Sequence, residues 1–228
     1  MKSKPERNLA SVIILEDITK NSDLLLKKSL ESLDVSTRSR VAKIKRLGRQ
    51  RQFAVSKFLL KQAIQIKLAI PITLDSLPKG KPYITEYEIF CSISHSGNSV
   101  AVAFSTYSEI GIDVEIHRER KFEKLVKNYF HPEEFKIFTT LNEPDKLNWF
   151  YTHWTRKEAM AKAKGEGINS HNLSKKISPS DSLEKHEYFS INDYSLSCVH
   201  YSKSPIELEI ATPLDCAPWM NLTVQSWL

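Results

Sequence analysis

The spacing of apolar residues changes several times along the chain and divides it into predicted strands and helices. A continuous apolar run at residues 9–15 predicts the first strand. Helical spacing follows in three segments, at residues 23–33, 36–47 and 49–68. Gly48 is the expected break between the last two segments, and Pro71 ends the third.

A β-hairpin is predicted next. Residues 88–94 alternate apolar and polar side chains, residues 100–104 are apolar, and the polar segment 95–98 supplies the turn between them. The preceding segment, residues 77–83, contains proline and glycine and predicts a loop. A further strand is predicted at residues 110–116.

Helices dominate the following part of the chain. Residues 122–130 have helical periodicity, and Pro132 with the two acidic residues after it predicts another helix start. A third helix is predicted from Pro144 to its end at Gly165. From residue 168 onward the pattern returns to short strands.

The three cysteines do not form a disulfide framework. Cys91, Cys198 and Cys216 lie far apart and make no C-x-x-C pair, which is typical of buried thiols in a reducing compartment. No apolar run approaches the roughly 20 residues that span a bilayer. Acidic residues follow the first apolar run at once, without a cleavage signal, so we interpret that run as a strand and expect a cytoplasmic protein.

Positive charge is concentrated in one segment. The chain has a formal net charge of +6, and residues 35–74 contain ten Lys or Arg residues with no Asp or Glu. Such an excess attracts phosphates, acidic protein surfaces or nucleic acid. The charge alone leaves these three kinds of partner open.

Asp113 and Glu115 are the first candidate metal ligands. Residues two apart in a strand project from the same face, so these carboxylates point together while Ile112 and Val114 face the core. Two adjacent carboxylates repel each other, and a hard divalent cation is one group that relieves the repulsion. Exposure of both side chains to water is the alternative.

Trp154, Glu158 and Lys162 form a second candidate set. On a helix they are spaced i, i+4 and i+8 and share one face. The Glu158 carboxylate could bind metal or accept a proton, and the Lys162 ammonium could stabilise a departing oxygen. A surface ion pair is the alternative.

Together the two sets supply three carboxylates, Asp113, Glu115 and Glu158. Magnesium uses few protein oxygens and completes its octahedron with waters and substrate phosphate, so the set fits Mg²⁺ bound to a pyrophosphate. The histidine- and cysteine-rich ligands expected of zinc are missing from these motifs.

Several further residues are candidates for phosphate binding. Ser94 and His95 belong to the segment that closes the hairpin, where side chains and backbone amides could hold phosphate oxygens, although a purely structural turn is the alternative. The basic candidates lie in the loop and in the first helices: Lys79, Lys81, Arg46, Arg51 and Lys57.

The order of these motifs resembles the 4′-phosphopantetheinyl transferases of the Sfp-like class. The matching segments are residues 80–83, 92–97, 111–115, 130–134 and 154–167. The 111–115 motif (Gly-Ile-Asp-Val-Glu) and the long 154–167 motif are jointly specific at this spacing. The clear resemblance covers roughly residues 79–168.

This resemblance implies an α/β (α+β) fold built as a pseudo-twofold pair of similar subdomains. Each subdomain would be a small, mainly antiparallel sheet with a packed helix, and the active site would lie in the cleft between them. We expect residues 1–108 to form the half with the basic helices and the His95 turn, and residues 109–228 the half with the carboxylates.

The resemblance also implies roles for individual residues. Asp113, Glu115 and Glu158 would bind magnesium, and Glu158, Lys162 and Asp113 would be catalytic. Coenzyme A would be contacted by Ser94, His95, Lys79, Lys81, Lys157, Lys162, Arg46, Arg51 and Lys57.

The implied reaction is attack by a serine hydroxyl of an apo acyl or peptidyl carrier protein on the β-phosphate of coenzyme A. It transfers 4′-phosphopantetheine and releases adenosine 3′,5′-bisphosphate. Carrier domains are acidic helical bundles, which suits the positive charge of this chain. We expect a monomer with no nucleic-acid or membrane partner, and the carrier, whether of fatty-acid or secondary-metabolite biosynthesis, is not identified.

Three other functions remain open. The acid-free segment at residues 35–74 would suit a basic nucleic-acid-binding module, although that function leaves the three carboxylates unexplained. The same carboxylates would serve a magnesium-dependent phosphohydrolase that uses water as its nucleophile. An inactive family member that acts as an interaction protein is the third, and the complete acidic set disfavours it.

Overall fold

A computed structural model of the protein describes residues 2–5, 9–19, 22–76, 80–167, 169–177, 185–191, 193–201 and 206–211. The strands are β1 (Ala10–Leu15), β2 (Leu74–Ser76), β3 (Pro82–Ile84), β4 (Phe90–Ser96), β5 (Ser99–Ser105), β6 (Ile110–Ile116), β7 (Lys185–Ile191), β8 (Tyr194–His200) and β9 (Glu207–Ala211). The helices are α1 (Ser22–Ser32), α2 (Val35–Ala42), α3 (Leu47–Leu68), α4 (Phe122–Tyr129), α5 (Pro132–Thr139), α6 (Glu143–Lys164) and α7 (Ser170–Ser174).

The first sheet has the strand order β4-β5-β1-β9. β1 pairs antiparallel with β5 on one side and parallel with β9 on the other. α3 packs on this sheet, and its buried Val55 and Leu59 share one apolar core with Ile13 of β1 and Phe104 of β5. Fully burying a side chain of this size contributes about 1.5–3 kcal/mol, so this core holds the basic helix in place.

The second sheet has the order β6-β8-β7, with both pairs antiparallel. α6 crosses this sheet and passes directly over Gly111 of β6. A Cβ atom at position 111 would lie only 1.9 Å from the Ala159 carbonyl oxygen and 2.6 Å from the Ala163 nitrogen. The absence of a side chain at Gly111 therefore allows the α6 backbone to touch the strand that carries Asp113 and Glu115.

The two sheets meet where β4 lies beside β6. The Ser92 hydroxyl accepts a hydrogen bond from the Ile112 backbone N–H at 3.0 Å, and the Ser96 hydroxyl accepts one from the Ile116 N–H at 3.1 Å. β4 and β6 belong to different sheets, so serine side chains join them where a continuous sheet would use backbone pairing. The junction brings the hairpin motif next to the acidic strand.

Helix boundaries differ from the predicted ones at Gly48. α2 ends at Ala42 and α3 begins at Leu47, so the chain breaks before Gly48, which lies in the first turn of α3. A glycine there costs about 1 kcal/mol relative to alanine. The buried face of the long helix outweighs that cost.

Two loops also differ from the prediction. β4 continues through His95 and Ser96, so the hairpin turn consists of Gly97 and Asn98 alone, and Gly97 has a φ of 56°. In the predicted loop at residues 77–83, Pro82 and Tyr83 belong to β3, which pairs with β2. Backbone pairing of β4 with β5 and of β3 with β2 extends these strands into the segments predicted as turn and loop.

The predicted α/β fold class is confirmed, with small, mainly antiparallel sheets and packed helices. The pseudo-twofold relation and the division after residue 108 stay predictions. β9, from the C-terminal part of the chain, joins the first sheet beside β1. Within the ranges that the structure describes, no helix is both long and apolar enough to cross a membrane.

Candidate active site

Residues from both sheets and both long helices line one cavity of about 630 Å³. The cavity lies between α3, β4, β6 and α6, at the junction of the two sheets. It is lined by most of the residues predicted from the sequence: Lys57, Lys81, Ser94, His95, Asp113, Glu115, Glu158 and Lys162. The structure thus brings together motifs that are distant in the chain.

Asp113 is buried and half of its carboxylate is already engaged. Its side chain is 2% exposed, and its Oδ1 lies 2.7 Å from the Lys162 Nζ. The Ser94 hydroxyl donates to the same oxygen at 2.7 Å and accepts from Lys162 at 3.0 Å. The other oxygen, Oδ2, is buried without a hydrogen-bond donor among the residues that the structure describes. That oxygen is available to a ligand.

Negative charge accumulates around Asp113. Burial, reinforced by the charge of Asp113, raises the pKa of Glu158 to about 8. The same two causes, burial first and Asp113 second, raise the pKa of Glu115. The Lys162 ammonium neutralises only part of the negative charge of these carboxylates. The cavity therefore still favours the binding of a further cation.

Glu115 is fixed at the side of the cavity by two neighbours. The Ser96 hydroxyl donates to its Oε2 at 2.8 Å, and the Arg120 Nη2 lies 3.8 Å from the same atom. The strand alternation predicted for this motif is confirmed, because Ile112 and Val114 are fully buried in the core while Asp113 and Glu115 line the cavity.

The type of donor atoms around Asp113 suits a magnesium ion that also binds phosphate. No three His, Cys, Asp or Glu side chains in the described part of the chain are already arranged as a metal site. Mg²⁺ normally takes one or two carboxylates and obtains its other oxygens from water and substrate phosphate, so it does not require a complete protein cage. The oxygen-only donor set and the orphaned Asp113 Oδ2 suit that mode of binding.

The wall of the cavity that α3 contributes is cationic. The Arg49 Nη1 lies 3.4 Å from His95 Nδ1 and 3.5 Å from Nε2. Burial, with Arg49 as the second cause, lowers the pKa of His95. Arg49 was not among the sequence candidates, although its spacing of i, i+4 and i+8 with Phe53 and Lys57 on α3 could have indicated it.

Lys57 is buried at this wall. Its Nζ donates to the Ser76 hydroxyl at 2.5 Å and lies 5.9 Å from the centroid of the Phe53 ring. Burial and the nearby Arg40 lower the pKa of Lys57 to about 8. The Arg40 guanidinium also lies near the Phe53 ring, 5.5 Å from its centroid.

Other predicted basic residues have different places. Arg51 points towards α1 and pairs with Asp23 at 3.0 Å, and Arg46 is exposed at the start of α3. Neither residue is among those that line the cavity. Lys79 lies outside the described residues.

Lys81 lines the cavity but is engaged with protein groups. Its Nζ donates to Glu109 Oε2 at 2.7 Å and to the Ala163 carbonyl oxygen at 3.2 Å. Lys157 does not line the cavity and pairs with Glu134 at 2.8 Å in the protein interior. Lys81 therefore contacts both the cavity and neighbouring elements, whereas Lys157 contacts only neighbouring elements.

The acidic half of the site falls within a known family model. Residues 109–212, a span that includes Asp113, Glu115, Glu158 and Lys162, match the model of the 4′-phosphopantetheinyl transferase superfamily. The predicted resemblance to this family is confirmed. The matched span covers a little under half of the 228 residues.

Individual relatives carry the same family name. The chain is 31% identical over 127 residues to the 4′-phosphopantetheinyl transferase HetI of Nostoc sp., covering 52% of this chain and 54% of that protein. It is 33% identical over 101 residues to AcpT of Escherichia coli, with 41% and 52% covered. It is 32% identical over 91 residues to Sfp of Bacillus subtilis, with 40% of each covered. The matches span about half the length of these relatives or less.

Proposed function

We propose that this protein transfers 4′-phosphopantetheine from coenzyme A to a serine of an apo carrier protein in a magnesium-dependent reaction. The observation that carries the proposal is the convergence of Asp113, Glu115 and Glu158, from two distant motifs, on one cavity that also contains Lys162 and His95. The family match over the acidic half supports the same reaction.

The site residues have separate roles in this proposal. Asp113, Glu115 and Glu158 would hold Mg²⁺, whose charge neutralises the pyrophosphate when it is bound. Arg49 and His95, at the cationic wall, would hold phosphate oxygens and orient coenzyme A in the cavity. Lys57, buried beside them, would contact the 3′-phosphate end.

Proton transfer would be carried out by Glu158. Without metal its pKa is raised to about 8, and bound Mg²⁺ would favour the ionised carboxylate, which is the form that can accept a proton near neutral pH. It would take the proton of the carrier serine as the serine oxygen bonds to the β-phosphorus of coenzyme A. The bond from that phosphorus to the bridging oxygen breaks, and its electron pair leaves with adenosine 3′,5′-bisphosphate.

Lys162 would stabilise the leaving group. Its ammonium lies against Asp113 and Ser94, at the edge of the cavity where a phosphate oxygen would be released. A cation that hydrogen-bonds to a developing oxyanion lowers the energy of the transition state. The Ser94 hydroxyl would keep the ammonium directed into the site.

Mass spectrometry of a carrier protein tests this function. The protein is incubated with coenzyme A, Mg²⁺ and an apo carrier, and a parallel reaction contains a carrier whose acceptor serine is replaced by alanine. We expect the first carrier to gain one phosphopantetheine, and we expect a chelator or the serine replacement to abolish the gain. Release of free pantetheine phosphate without any carrier would indicate a phosphohydrolase instead.

The proposal also includes a monomeric protein in the cytoplasm. Cys91 and Cys198 are free and buried, which suits a reducing compartment. Coenzyme A and an acidic carrier would be its partners, and the positive charge of the chain favours the approach of both. Sedimentation of the purified protein measures the oligomeric state.

A further inference from the structure

Lys157 is adjacent to Glu158 in the sequence but points into a buried polar network. Its Nζ lies 2.8 Å from Glu134 Oε2, and the two side chains are only 2% and 6% exposed. The same Nζ donates to the Lys175 carbonyl oxygen at 2.5 Å and lies 5.1 Å from the centroid of the Phe130 ring. All of these partners lie outside the residues that line the cavity.

Glu134 is held on several sides as well. Its Oε1 accepts a hydrogen bond from the Ile177 backbone N–H at 3.0 Å, and its Oε2 accepts one from the His131 N–H at 3.1 Å. A buried ion pair is favourable only when the remaining hydrogen-bonding capacity is satisfied, and here it is. The pair joins the start of α5, the middle of α6 and the segment that follows α7.

This network fixes the rotation of α6 about its own axis. Successive residues on a helix are about 100° apart, so a Lys157 side chain directed at α5 leaves Glu158 directed at β6. Lys162, one turn after Glu158, lies on the same face. On the other side of α6, Gly111 allows the helix backbone to rest on β6. The helix is thus held from two sides.

We propose that the Lys157–Glu134 pair is a positioning device that sets the rotation of α6 and thereby places Glu158 and Lys162 in the active site. The proposal rests on the proposed transferase function, and it gives Lys157 a role other than the coenzyme A contact expected from the sequence. Lys157 acts on the reaction through Glu158 and Lys162, without touching the substrate.

Kinetic constants of Lys157→Met test the positioning role. This change keeps the length of the side chain and removes its charge. We expect kcat to fall about 10- to 100-fold, because small displacements of catalytic groups have effects of that size. The KM for coenzyme A is expected to stay within about twofold, because Lys157 lies outside the cavity. Lys164→Met is the matched control, since Lys164 is exposed at the end of the same helix, and it is expected to behave like the wild type.

A double variant distinguishes a loss of positioning from a loss of stability. Lys157→Met leaves the Glu134 charge buried alone, whereas Lys157→Met with Glu134→Gln removes both charges and keeps an acceptor for one of the two backbone amides that contact Glu134. We expect the double variant to melt near the wild-type temperature with kcat still reduced. Wild-type kcat in a folded double variant would overturn the positioning role, and so would a raised KM for coenzyme A with unchanged kcat.

Hydrogen exchange separates this proposal from the transferase function. In Lys157→Met we expect faster amide exchange at residues 131–134, 156–162 and 175–177, with β4 unchanged, because the network holds these segments together. Unchanged exchange in α6 would overturn the positioning role. A carrier left unmodified by the wild-type protein would instead reject the proposed function, and the exchange experiment would still decide the role of the pair.

Discussion

Lys162 and Asp113 are 49 positions apart in the sequence, and the lysine Nζ lies 2.7 Å from the aspartate Oδ1 in the cavity. The pair occupies the point where the acidic strand β6 meets the helix α6. The other oxygen, Oδ2, has no hydrogen-bond donor in the part of the chain that the structure describes. A metal ion bound at this site would therefore share the Asp113 carboxylate with the lysine.

Replacing Lys162 with methionine separates these two uses of Asp113. We expect Lys162→Met to bind Mg²⁺ several-fold more tightly in the absence of coenzyme A, since removal of a nearby cation is worth about 1 kcal/mol. Transfer to a carrier is expected to slow about 100-fold, because the leaving oxygen loses its charged donor. Calorimetry measures the first effect and single-turnover kinetics the second. Weaker Mg²⁺ binding in this variant would contradict the shared carboxylate.

Glu158 makes stability depend on pH in the absence of metal. Burial and Asp113 raise its pKa in the folded protein from 4.5 to about 8. Between these values the folded protein binds more protons than the unfolded chain, so the free energy of unfolding decreases as pH rises from about 4.5 to about 8. Urea unfolding in chelator should show this loss for the wild type relative to Glu158→Gln, which lacks the titrating group.

Magnesium is expected to oppose that loss. Metal binding favours ionised carboxylates, so added Mg²⁺ should stabilise the wild type more at about pH 8 than at about pH 6. Glu158→Gln is the control and should show a smaller dependence of the Mg²⁺ effect on pH. Equal pH dependence in the two proteins would mean that Glu158 is not the titrating group.

Gly111→Ala tests the contact between α6 and β6. The new Cβ would meet the Ala159 carbonyl oxygen at 1.9 Å, and a helix backbone cannot move aside as a side chain can. We expect the free energy of unfolding to fall by about 3 kcal/mol or more. Gly48→Ala is the matched control: apart from the adjacent helix backbone, no atom of the described residues lies within 4 Å of its added Cβ, and alanine should stabilise the first turn of α3 by about 1 kcal/mol. A wild-type melting temperature for Gly111→Ala would contradict this packing.

Lys57→Met tests the cationic wall of the cavity. A charged hydrogen bond contributes about 1.5–3 kcal/mol, so coenzyme A should bind about 10- to 100-fold more weakly to this variant. Dephospho-coenzyme A, which lacks the 3′-phosphate, should bind equally to the variant and the wild type. Arg51→Met is the control, because Arg51 pairs with Asp23 away from the cavity. An equal loss with both ligands would place Lys57 elsewhere on the nucleotide.

Deprotonation of Lys57 should make the affinity for the 3′-phosphate of coenzyme A depend on pH. Burial, with Arg40 as a second cause, lowers its pKa to about 8 in the free protein. A bound phosphate would raise that pKa again, because it favours the charged form. The affinity for coenzyme A should therefore fall as pH rises above about 8, and Lys57→Met should lose this dependence in calorimetric titrations over the same range.

The acidic part of the site could be predicted from local spacing. Strand alternation places Asp113 and Glu115 on one face of β6, and helical spacing places Glu158 and Lys162 on one face of α6. Local spacing does not show that these two faces lie against each other, because that depends on the tertiary fold. The contact between α6 and β6 requires glycine at position 111, because a side chain there would clash with helix backbone about 50 positions away. No local pattern contains that information.

The basic residues were harder to assign. Ten Lys or Arg residues between positions 35 and 74 have similar surroundings in sequence. Arg49 and Arg51 lie two residues apart on α3, about 200° around the helix, so one faces His95 and the other faces Asp23. Which of them faces the cavity is decided by the apolar side of α3 that packs on the first sheet.

The parallel pairing of β1 with β9 also determines when the protein can complete its fold. During synthesis, residues 10–15 leave the ribosome about 200 positions before residues 207–211. Until then one edge of an otherwise fully buried apolar strand has no neighbour, and such an edge recruits other chains. Synthesis is therefore the stage at which this protein is most exposed to aggregation, and fragments that end before residue 207 should need chaperones to stay in solution.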